Sequence, residues 1–403
     1  MSVMTVAAGP LVFDPYDYTF HEDPYPTYRR LREEAPVYYS PALEFWALSR
    51  HADVVGAFRD SNRLSNANGV SLDPVAWGPH AHHAMSFLAM DDPQHMRLRR
   101  LVFKAFTPAR VGTMENWIRE LTLSYLEPLL AGGVFDWVEN VAAKLPMDVI
   151  SELVGVPQAD RAQVRRLADL VVHREDGVLD VPPAAVEATA QLFDYYTELV
   201  ADRKRTRRED MTSALLDADT GGDRLTDAEI VGFLFLMVVA GNETTAKLLG
   251  NALYWSASNP GEYAKVRADP GLVPAWVEET LRYDTSTQIL ARTATTDLAY
   301  HDATIPAGSK VLLLVGSANR DPQVFDDADS YRIDRSATTG LASFGAGVHY
   351  CLGAHLARME ARVALTEFVA RVHAYDLVPE GIRRVHSTNV RGFAHLPVAV
   401  ETR

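Results

Sequence analysis

The sequence of 403 residues contains one cysteine, Cys351. A single cysteine excludes an internal disulfide framework and a zinc site built from cysteines, so we expect a reducing compartment, the cytoplasm. The segment from Met1 to Phe20 has no lysine or arginine, which is unlike a secretory or transit signal. No run of about 18 apolar residues is present to cross a bilayer. The sequence therefore predicts a protein without a membrane anchor.

Basic residues are in the minority, since 39 lysines and arginines face 53 aspartates and glutamates and the formal net charge is −14. This charge argues against general nucleic-acid binding. Apolar residues make up 47% of the chain and charged residues 23%, which is typical of a globular protein with a large core. Neither a flavin nor a dinucleotide fingerprint is found, so any electrons that the protein uses must come from outside the chain.

The one cysteine lies in a glycine-rich segment, residues 344–353, with the sequence FGAGVHYCLG. Its glycines allow positive φ angles and a close wrap of the backbone round one atom. Helical apolar spacing follows at Leu352, Leu356 and Met359, so the sulfur should lie at a helix N-terminus, where amides and the dipole favour the thiolate. From these residues alone, a reactive thiolate and an inert buried cysteine both remain open.

The longest predicted helix runs from Thr226 to about Asn259, between a capping box (Thr-Asp-Ala-Glu) and an Asn-Pro stop. Its first half is apolar on all sides and is therefore expected to be buried. Its middle carries AGNETT, residues 240–245, and polar groups in such a place need a reason. The hydroxyl of Thr244 can bond to the carbonyl one turn earlier and bend the helix, while Gly241 leaves room for a small ligand such as dioxygen.

Two pairs of charged residues and one lone cation also stand out. His95 and Arg99 share a helix face at i and i+4, and Glu279 and Arg282 share one at i and i+3. Arg292 is a single cation among small and apolar residues. Each spacing is weak by itself, because solvated helix faces commonly carry such residues.

Together these motifs resemble those of the cytochrome P450 family, in the family's order and over essentially the whole chain. The cysteine segment matches F-G-x-G-x-H-x-C-x-G, the helix centre matches A-G-x-E-T-T, and VEETLR contains E-x-x-R. The resemblance implies the mainly α cytochrome P450 fold, a large helical domain with a small β-rich portion. We therefore expect one domain over residues 1–403, with β-rich parts at approximately 36–50, 292–315 and 384–400. Within these parts the residues themselves predict one β-hairpin from Val37 to Leu48 and another from Thr304 to Leu314, around a turn rich in proline and glycine.

The resemblance implies haem b as cofactor, with the Cys351 thiolate as the axial ligand of its iron. It implies that Thr244 and Glu243 activate oxygen and relay protons, and that Glu279 and Arg282 form a structural ion pair beneath the haem. The residues that it implies for haem binding are His95, Arg99, Ala240, Gly241, Arg292, Phe344, Gly345, His349, Cys351 and Gly353.

The activity implied by the resemblance is that of a monooxygenase, which inserts one atom of dioxygen into its substrate by hydroxylation or epoxidation. Electrons derived from NAD(P)H would arrive through ferredoxin and ferredoxin reductase, or through flavodoxin, and the chain would act as a monomer. A peroxide-driven peroxygenase and a haem-based sensor or carrier are the alternatives. The retained pair of Thr244 and Glu243 argues against both.

Two segments have open interpretations. A basic patch could dock an acidic ferredoxin or could simply be a solvated face, and it comprises Arg97, Arg100, Lys104 and Arg110. The segment 173–183, rich in glycine and proline, could be a hinged lid or a plain surface connection, and the resemblance favours the lid.

The expected substrate is hydrophobic, such as a polyketide, terpenoid, steroid or aromatic compound of secondary metabolism. This expectation rests on the apolar character of the candidate pocket residues. For Phe393, packing in the core is an equal alternative. The candidate pocket residues are Phe87, Phe233, Met237, Val238, Ile289, Leu290 and Phe393.

Overall fold

The computed structural model describes residues 11–172, 181–335 and 340–402. The segment predicted as a lid, 173–183, lies largely outside these residues. The described helices are α1 Tyr18–Glu22, α2 Tyr25–Glu34, α3 His51–Arg59, α4 Ala81–Met85, α5 Gln94–Ala105, α6 Pro108–Gly112, α7 Glu115–Leu130, α8 Lys144–Val154, α9 Arg161–Val172, α10 Pro183–Arg205, α11 Met211–Asp217, α12 Asp227–Ser258, α13 Pro260–Ala268, α14 Val273–Tyr283, α15 Val315–Ala318 and α16 Ala354–Arg371.

The strands are short and form several small sheets, so the prediction of a mainly α protein with a small β-rich portion is confirmed. The described strands are β1 Val37–Ser40, β2 Phe45–Leu48, β3 Leu64–Ser65, β4 Val134–Asp136, β5 Asp219–Thr220, β6 Asp223–Arg224, β7 Ile289–Ala294, β8 Leu298–Tyr300, β9 Ala303–Ile305, β10 Lys310–Leu314, β11 Val372–Leu377, β12 Arg383–Arg384, β13 Phe393–His395 and β14 Pro397–Thr402.

Helix α12 forms the centre of the molecule and packs against α8, α10, α14 and α16. It begins at the predicted capping box, in which the Glu229 amide donates to Thr226 Oγ1 at 3.2 Å and the Thr226 amide donates to Glu229 Oε2 at 2.8 Å. Among the described residues, α12 alone is long and apolar enough to cross a membrane, although the sequence had indicated no such run. Because 50% of its most apolar window is buried inside the molecule, we interpret it as a core helix.

The largest sheet has the strand order β1-β2-β10-β7-β3. The antiparallel pairing of β1 with β2 confirms the predicted hairpin. A second hairpin, predicted between residues 304 and 314, is wrong, because β9 pairs with β8 and β10 pairs with β2 and β7. Residues Val311 to Leu314 of β10 are all fully buried, and such a strand needs partners on both edges.

Glu279 and Arg282 of α14 are both fully buried and form a bidentate ion pair, with two N–O distances of 2.8 Å. The guanidinium of Arg282 also donates to the carbonyl oxygen of Ala328 at 2.8 Å. The Glu279 carboxylate accepts from the Arg332 amide at 2.8 Å and lies 3.2 Å from Arg335 Nε. This network ties α14 to the loop that precedes the cysteine segment.

Candidate active site

A cavity lies between the centre of α12 and the cysteine segment 344–353. Its wall also includes residues of α5 and α16 and of the chain between α14 and β7. The structure therefore brings together most of the residues that the sequence singled out at separate places. Those that line the cavity are Phe87, Arg99, Phe233, Met237, Ala240, Gly241, Thr244, Leu290, Arg292, Phe344, Gly345, His349, Cys351 and Gly353.

Val238 and Ile289 do not line the cavity, which corrects their assignment to the pocket. Both are fully buried in the surrounding core. Val238 follows Met237 and therefore points about 100° further round the helix. Ile289 alternates with Leu290 across β7, so only Leu290 faces the cavity.

Phe393 is also outside the cavity wall, which corrects its assignment to the pocket. Its ring is 1% exposed and packs beside Tyr254, with the ring centroids 4.6 Å apart. The guanidinium of Arg384 covers the same ring at 4.3 Å. Of the two uses that the sequence left open for this ring, the structure shows core packing.

The cysteine segment folds back on itself over a short span. Gly345 and Gly347 have φ angles of 69° and 71°, and the Cys351 amide donates to the carbonyl oxygen of Phe344 at 2.9 Å. A Cβ on Gly347 would lie 2.8 Å from the carbonyl oxygen of Phe58, so only glycine fits there without a shift. The sulfur-bearing residue is thereby held at the cavity wall, just before α16 begins.

The surroundings of Cys351 have opposing effects on the pKa of its thiol. Cys351 is exposed, but to the cavity, and its position deep inside the protein raises the pKa of the thiol, while the amides of Gly353 and Ala354 and the cations of Arg99 and Arg358 act to lower it. The amides at the helix N-terminus thus favour the thiolate, as the sequence predicts, but burial has the larger effect. A metal cation at the sulfur would reverse the balance, because a coordinating thiol is deprotonated.

Four basic side chains gather at one side of the cavity: Arg99, Arg292 and His349 line its wall, whereas His95 is not part of the wall and packs against His349. Arg292 is 3% exposed, burial lowers its pKa to about 10, and it has no carboxylate ion-pair partner within the described ranges. The rings of His95 and His349 lie 3.9 Å apart, and His95 Nε2 and His349 Nδ1 are buried without a hydrogen-bond partner in the described structure. Burial, His95, Arg292 and Arg99 lower the pKa of His349 to about 3. Two ring nitrogens at this side thus lack a partner in the described structure, while the guanidinium groups of Arg99 and Arg292 donate to the backbone carbonyl oxygens of Tyr350 at 2.6 Å and Ala291 at 2.7 Å.

Thr244 presents the hydroxyl at the centre of α12. Its Oγ1 donates to the carbonyl oxygen of Ala240 at 3.1 Å, the local bond expected from the sequence. A Cβ on Gly241 would lie 3.1 Å from the side chain of Ile150, so this glycine also permits the close approach of α8. Glu243, the neighbouring acid, is not part of the cavity wall, and its carboxylate lies 3.7 Å from Lys247 Nζ.

Comparison with known proteins agrees with this geometry. Residues 183–270 and 271–377 match the family model for cytochrome P450. The protein named as cytochrome P450 123 in Mycobacterium tuberculosis is 59% identical over 402 residues, which cover 99% of this chain and 100% of that relative. The chain belongs to the cytochrome P450 family.

Solved cytochrome P450 structures share the fold of this P450. Cytochrome P450 CYP109Q5 from Chondromyces apiculatus has a TM-score of 0.89 and 33% sequence identity, over 97% of this chain and 98% of the other. The polyketide synthase P450 PksS from Bacillus subtilis has a TM-score of 0.88 and 32% identity, over 97% and 100% of the two chains. Cytochromes P450 are monooxygenases that bind haem through a cysteine thiolate and use NAD(P)H-derived electrons delivered by partner proteins.

The donor set of this P450 fits a haem. Haem carries two propionates, which are acceptors for charge-assisted hydrogen bonds. At one side of the cavity the described structure has two guanidinium groups without a carboxylate partner, Arg99 and Arg292, and two unpartnered ring nitrogens, in His95 and His349. The only cysteine of the chain is in the wall of the same cavity.

Sequence reasoning missed two groups at this site. The Arg358 guanidinium lies 4.4 Å from the centre of the Phe344 ring and pairs with Glu278 of α14 at 3.0 Å, so it braces the cysteine segment. Glu360 lines the cavity, is 1% exposed, and burial raises its pKa well above the usual range. The sequence does contain a signal for Glu360, because this acid directly follows Met359, one of the apolar positions of α16.

Proposed function

We propose that this P450 inserts one atom of dioxygen into a C–H or C=C bond of a hydrophobic small molecule in secondary metabolism. The observation that carries the proposal is a largely apolar cavity whose wall contains the single cysteine and the Thr244 hydroxyl, with two unpartnered histidine ring nitrogens and the buried Arg292 guanidinium at one side. The single cysteine favours a cytoplasmic location, and we assign the active form as a monomer.

In this proposal, the Cys351 sulfur would hold the haem iron, and haem would supply the chemistry of dioxygen binding and activation. Arg99, Arg292 and the histidine pair would hold its propionates. The wall around the remaining haem surface is supplied by Ala240, Gly241, Phe344, Gly345 and Gly353.

The polar residues of α12 handle protons. Insertion of one oxygen atom consumes dioxygen, two electrons and two protons, and it yields the oxygenated product and water. The Thr244 hydrogen points at the Ala240 carbonyl, so the hydroxyl has to rotate about its side-chain torsion before it can donate into the cavity. The Glu243 carboxylate, carried by the residue directly before Thr244, resupplies that proton from outside the cavity.

The substrate class follows from the cavity wall. Phe87, Phe233, Met237 and Leu290 provide an apolar surface that favours a hydrophobic molecule. Among the relatives, PksS is named for polyketide biosynthesis, and CYP109E1 from Bacillus megaterium was solved with corticosterone and with testosterone. We therefore place polyketides and steroids first among the substrates to test, before other terpenoids and aromatic compounds.

The experiment is a screen of such compounds for substrate-induced change of the haem spin state, followed by turnover under ¹⁸O₂ with NADPH, ferredoxin and ferredoxin reductase. We expect a product that contains one ¹⁸O atom and depends on NADPH. Product formed only with added hydrogen peroxide would show a peroxygenase. Spin-state changes without product from any bound compound would contradict the proposed monooxygenase activity.

Replacing the buried Arg292 should stabilise the protein without haem and weaken its hold on haem when haem is bound. Without haem, Arg292→Met removes an unpaired buried charge, so the apoprotein should unfold at a higher temperature than the wild type. With haem, the same change removes a propionate partner, so haem should transfer faster to apomyoglobin. Arg292→Lys, which keeps the charge, is the control. A lower unfolding temperature of the Met apoprotein would contradict the account of the cationic side.

We also propose that ferredoxin docks on the basic patch of α5, although the patch is smaller than the sequence suggested. Arg97 is neutralised by ion pairs with Asp223 at 2.8 Å and Glu229 at 2.6 Å. Arg100 and Lys104 are exposed. The side chain of the fourth predicted member, Arg110, lies outside the described residues. Arg100 and Lys104 therefore carry the proposed docking charge.

Arg100→Glu should slow the reduction of this P450 by ferredoxin, and the difference from wild type should shrink as salt is added, because screening weakens exposed charges. Stopped-flow reduction at several ionic strengths measures this effect. Arg383→Glu, an exposed arginine on β12, is the charge-matched control. Equal rates for Arg100→Glu and wild type at low salt would sink the docking proposal.

A further inference from the structure

Glu243 has an unusual position for a residue proposed to supply protons. It is the direct neighbour of Thr244 on α12, yet it is outside the cavity wall, and its side chain is 14% exposed. Its carboxylate lies 3.7 Å from the ammonium of Lys247, one helical turn later. The Glu243 carboxylate therefore has a positive charge of its own helix beside it.

The C-terminal part of the chain surrounds the side chain of Lys247. The residue is 8% exposed, and its Nζ donates to the carbonyl oxygen of Phe393 at 3.2 Å. A Cβ on Gly392 would lie 2.6 to 2.8 Å from the aliphatic stem of Lys247, so the stem passes where this glycine has no side chain. Gly392 thus leaves space for the stem of Lys247, and the backbone carbonyl of Phe393 accepts a hydrogen bond from its ammonium. The Phe393 ring itself stays in the core.

The Lys247 ammonium also affects the pKa of a second acid, Asp169. Asp169 of α9 is largely buried, and burial raises its pKa, whereas the charges of Arg165 and Lys247 act to lower it. Burying an ammonium is costly unless it is paired, and both Glu243 and Asp169 are placed to compensate Lys247. The lysine is therefore the common cation of two carboxyl groups on the outer side of α12.

We propose that Lys247 is a positioning residue for oxygen activation. It holds the Glu243 carboxylate beside Thr244 and on the outer side of the helix, where the carboxylate takes up a proton before it turns to the hydroxyl. The inference rests on the proposed function, because it gives Glu243 a task only if dioxygen is reduced in the cavity. Loss of the cation removes one of the contacts that orient Glu243 and slows proton supply to Thr244.

The test uses Lys247→Met in the haem-loaded protein, because methionine keeps an unbranched stem against Gly392. We expect substrate affinity and the rate of reduction by ferredoxin to stay at the wild-type values. Product formed per NADPH consumed should fall about tenfold, with hydrogen peroxide accounting for the missing electrons. The solvent deuterium isotope effect on product formation should rise. Lys204→Met is the control, since it removes an exposed partner of Asp227 on the same helix.

Epistasis separates positioning from general damage. Glu243→Gln should uncouple the enzyme to a similar extent, and the double variant should be no worse than either single variant. An unchanged ratio of product to NADPH in Lys247→Met, or multiplied losses in the double variant, would overturn the proposal.

A second readout does not depend on turnover. If the two groups interact, the unfolding temperatures of Glu243→Gln, Lys247→Met and the double variant should be non-additive in the resting protein. Additive shifts would contradict the pairing. If the wild type yields no product with any bound compound, the proposed function fails, while the unfolding cycle still reports whether Lys247 holds Glu243.

Discussion

Replacing Thr244 with alanine is expected to lower product formed per NADPH by at least about tenfold, with hydrogen peroxide as the main product of reduction. The reason is geometric, because Thr244 places a hydroxyl in the cavity wall on the central helix and next to an acid. Substrate binding and electron delivery do not use this hydroxyl. NADPH consumption should therefore continue, and the electrons should be lost to peroxide.

Two controls make the Thr244 experiment specific. Thr244→Ser keeps the hydroxyl and should retain most of the coupling to product. Thr197→Ala removes a comparable hydroxyl, which donates to the carbonyl oxygen of Phe193 at 2.8 Å on α10, and should leave coupling unchanged. Wild-type coupling in Thr244→Ala, measured as product and peroxide per NADPH, would refute a role for this hydroxyl in proton delivery.

The second large effect concerns stability. Arg282→Met should lower the free energy of unfolding by about 3–5 kcal/mol, because it leaves the fully buried Glu279 carboxylate without its bidentate partner. The carbonyl oxygen of Ala328 loses its donor at the same time. Urea unfolding of the haem-loaded protein, followed by circular dichroism, measures the loss.

The matched control for Arg282 is an exposed ion pair. Arg30 and Glu34 form a salt bridge at i and i+4 with a distance of 2.7 Å, so the chemistry is the same while solvent screens the charges. Arg30→Met should change stability little. If both arginine variants lose equally little stability, the buried pair is not the tie between α14 and the cysteine segment that we infer. Glu279→Gln gives a milder second test if Arg282→Met fails to fold.

The sequence was a sufficient guide for several local patterns, although the local hairpin predicted between residues 304 and 314 is wrong. The capping box at Thr226 and the back-bond of Thr244 each involve residues within one turn, and the structure shows both. The β1-β2 hairpin is local in the same sense. Membership of the P450 family likewise followed from ordered short motifs.

The failures concern side chains whose partners come from elsewhere in the chain. The apolar nature of Val238, Ile289 and Phe393 predicts burial, but only the turn of a helix, the alternation of a strand or a distant ring decides what they face. Lys247 was overlooked because the space for its side chain is left by Gly392, 145 positions later in the sequence. The raised pKa of Cys351 depends on burial, which no local motif reveals.

The central claim is that Cys351 is the thiolate ligand of a haem, and one absorption measurement tests it most directly. The protein is reduced with dithionite, and spectra are recorded with and without carbon monoxide for wild type and Cys351→Ala. The account predicts a strongly red-shifted Soret band in the wild type and none in the variant. No bound haem in the wild type, or the same band in both proteins, would contradict it.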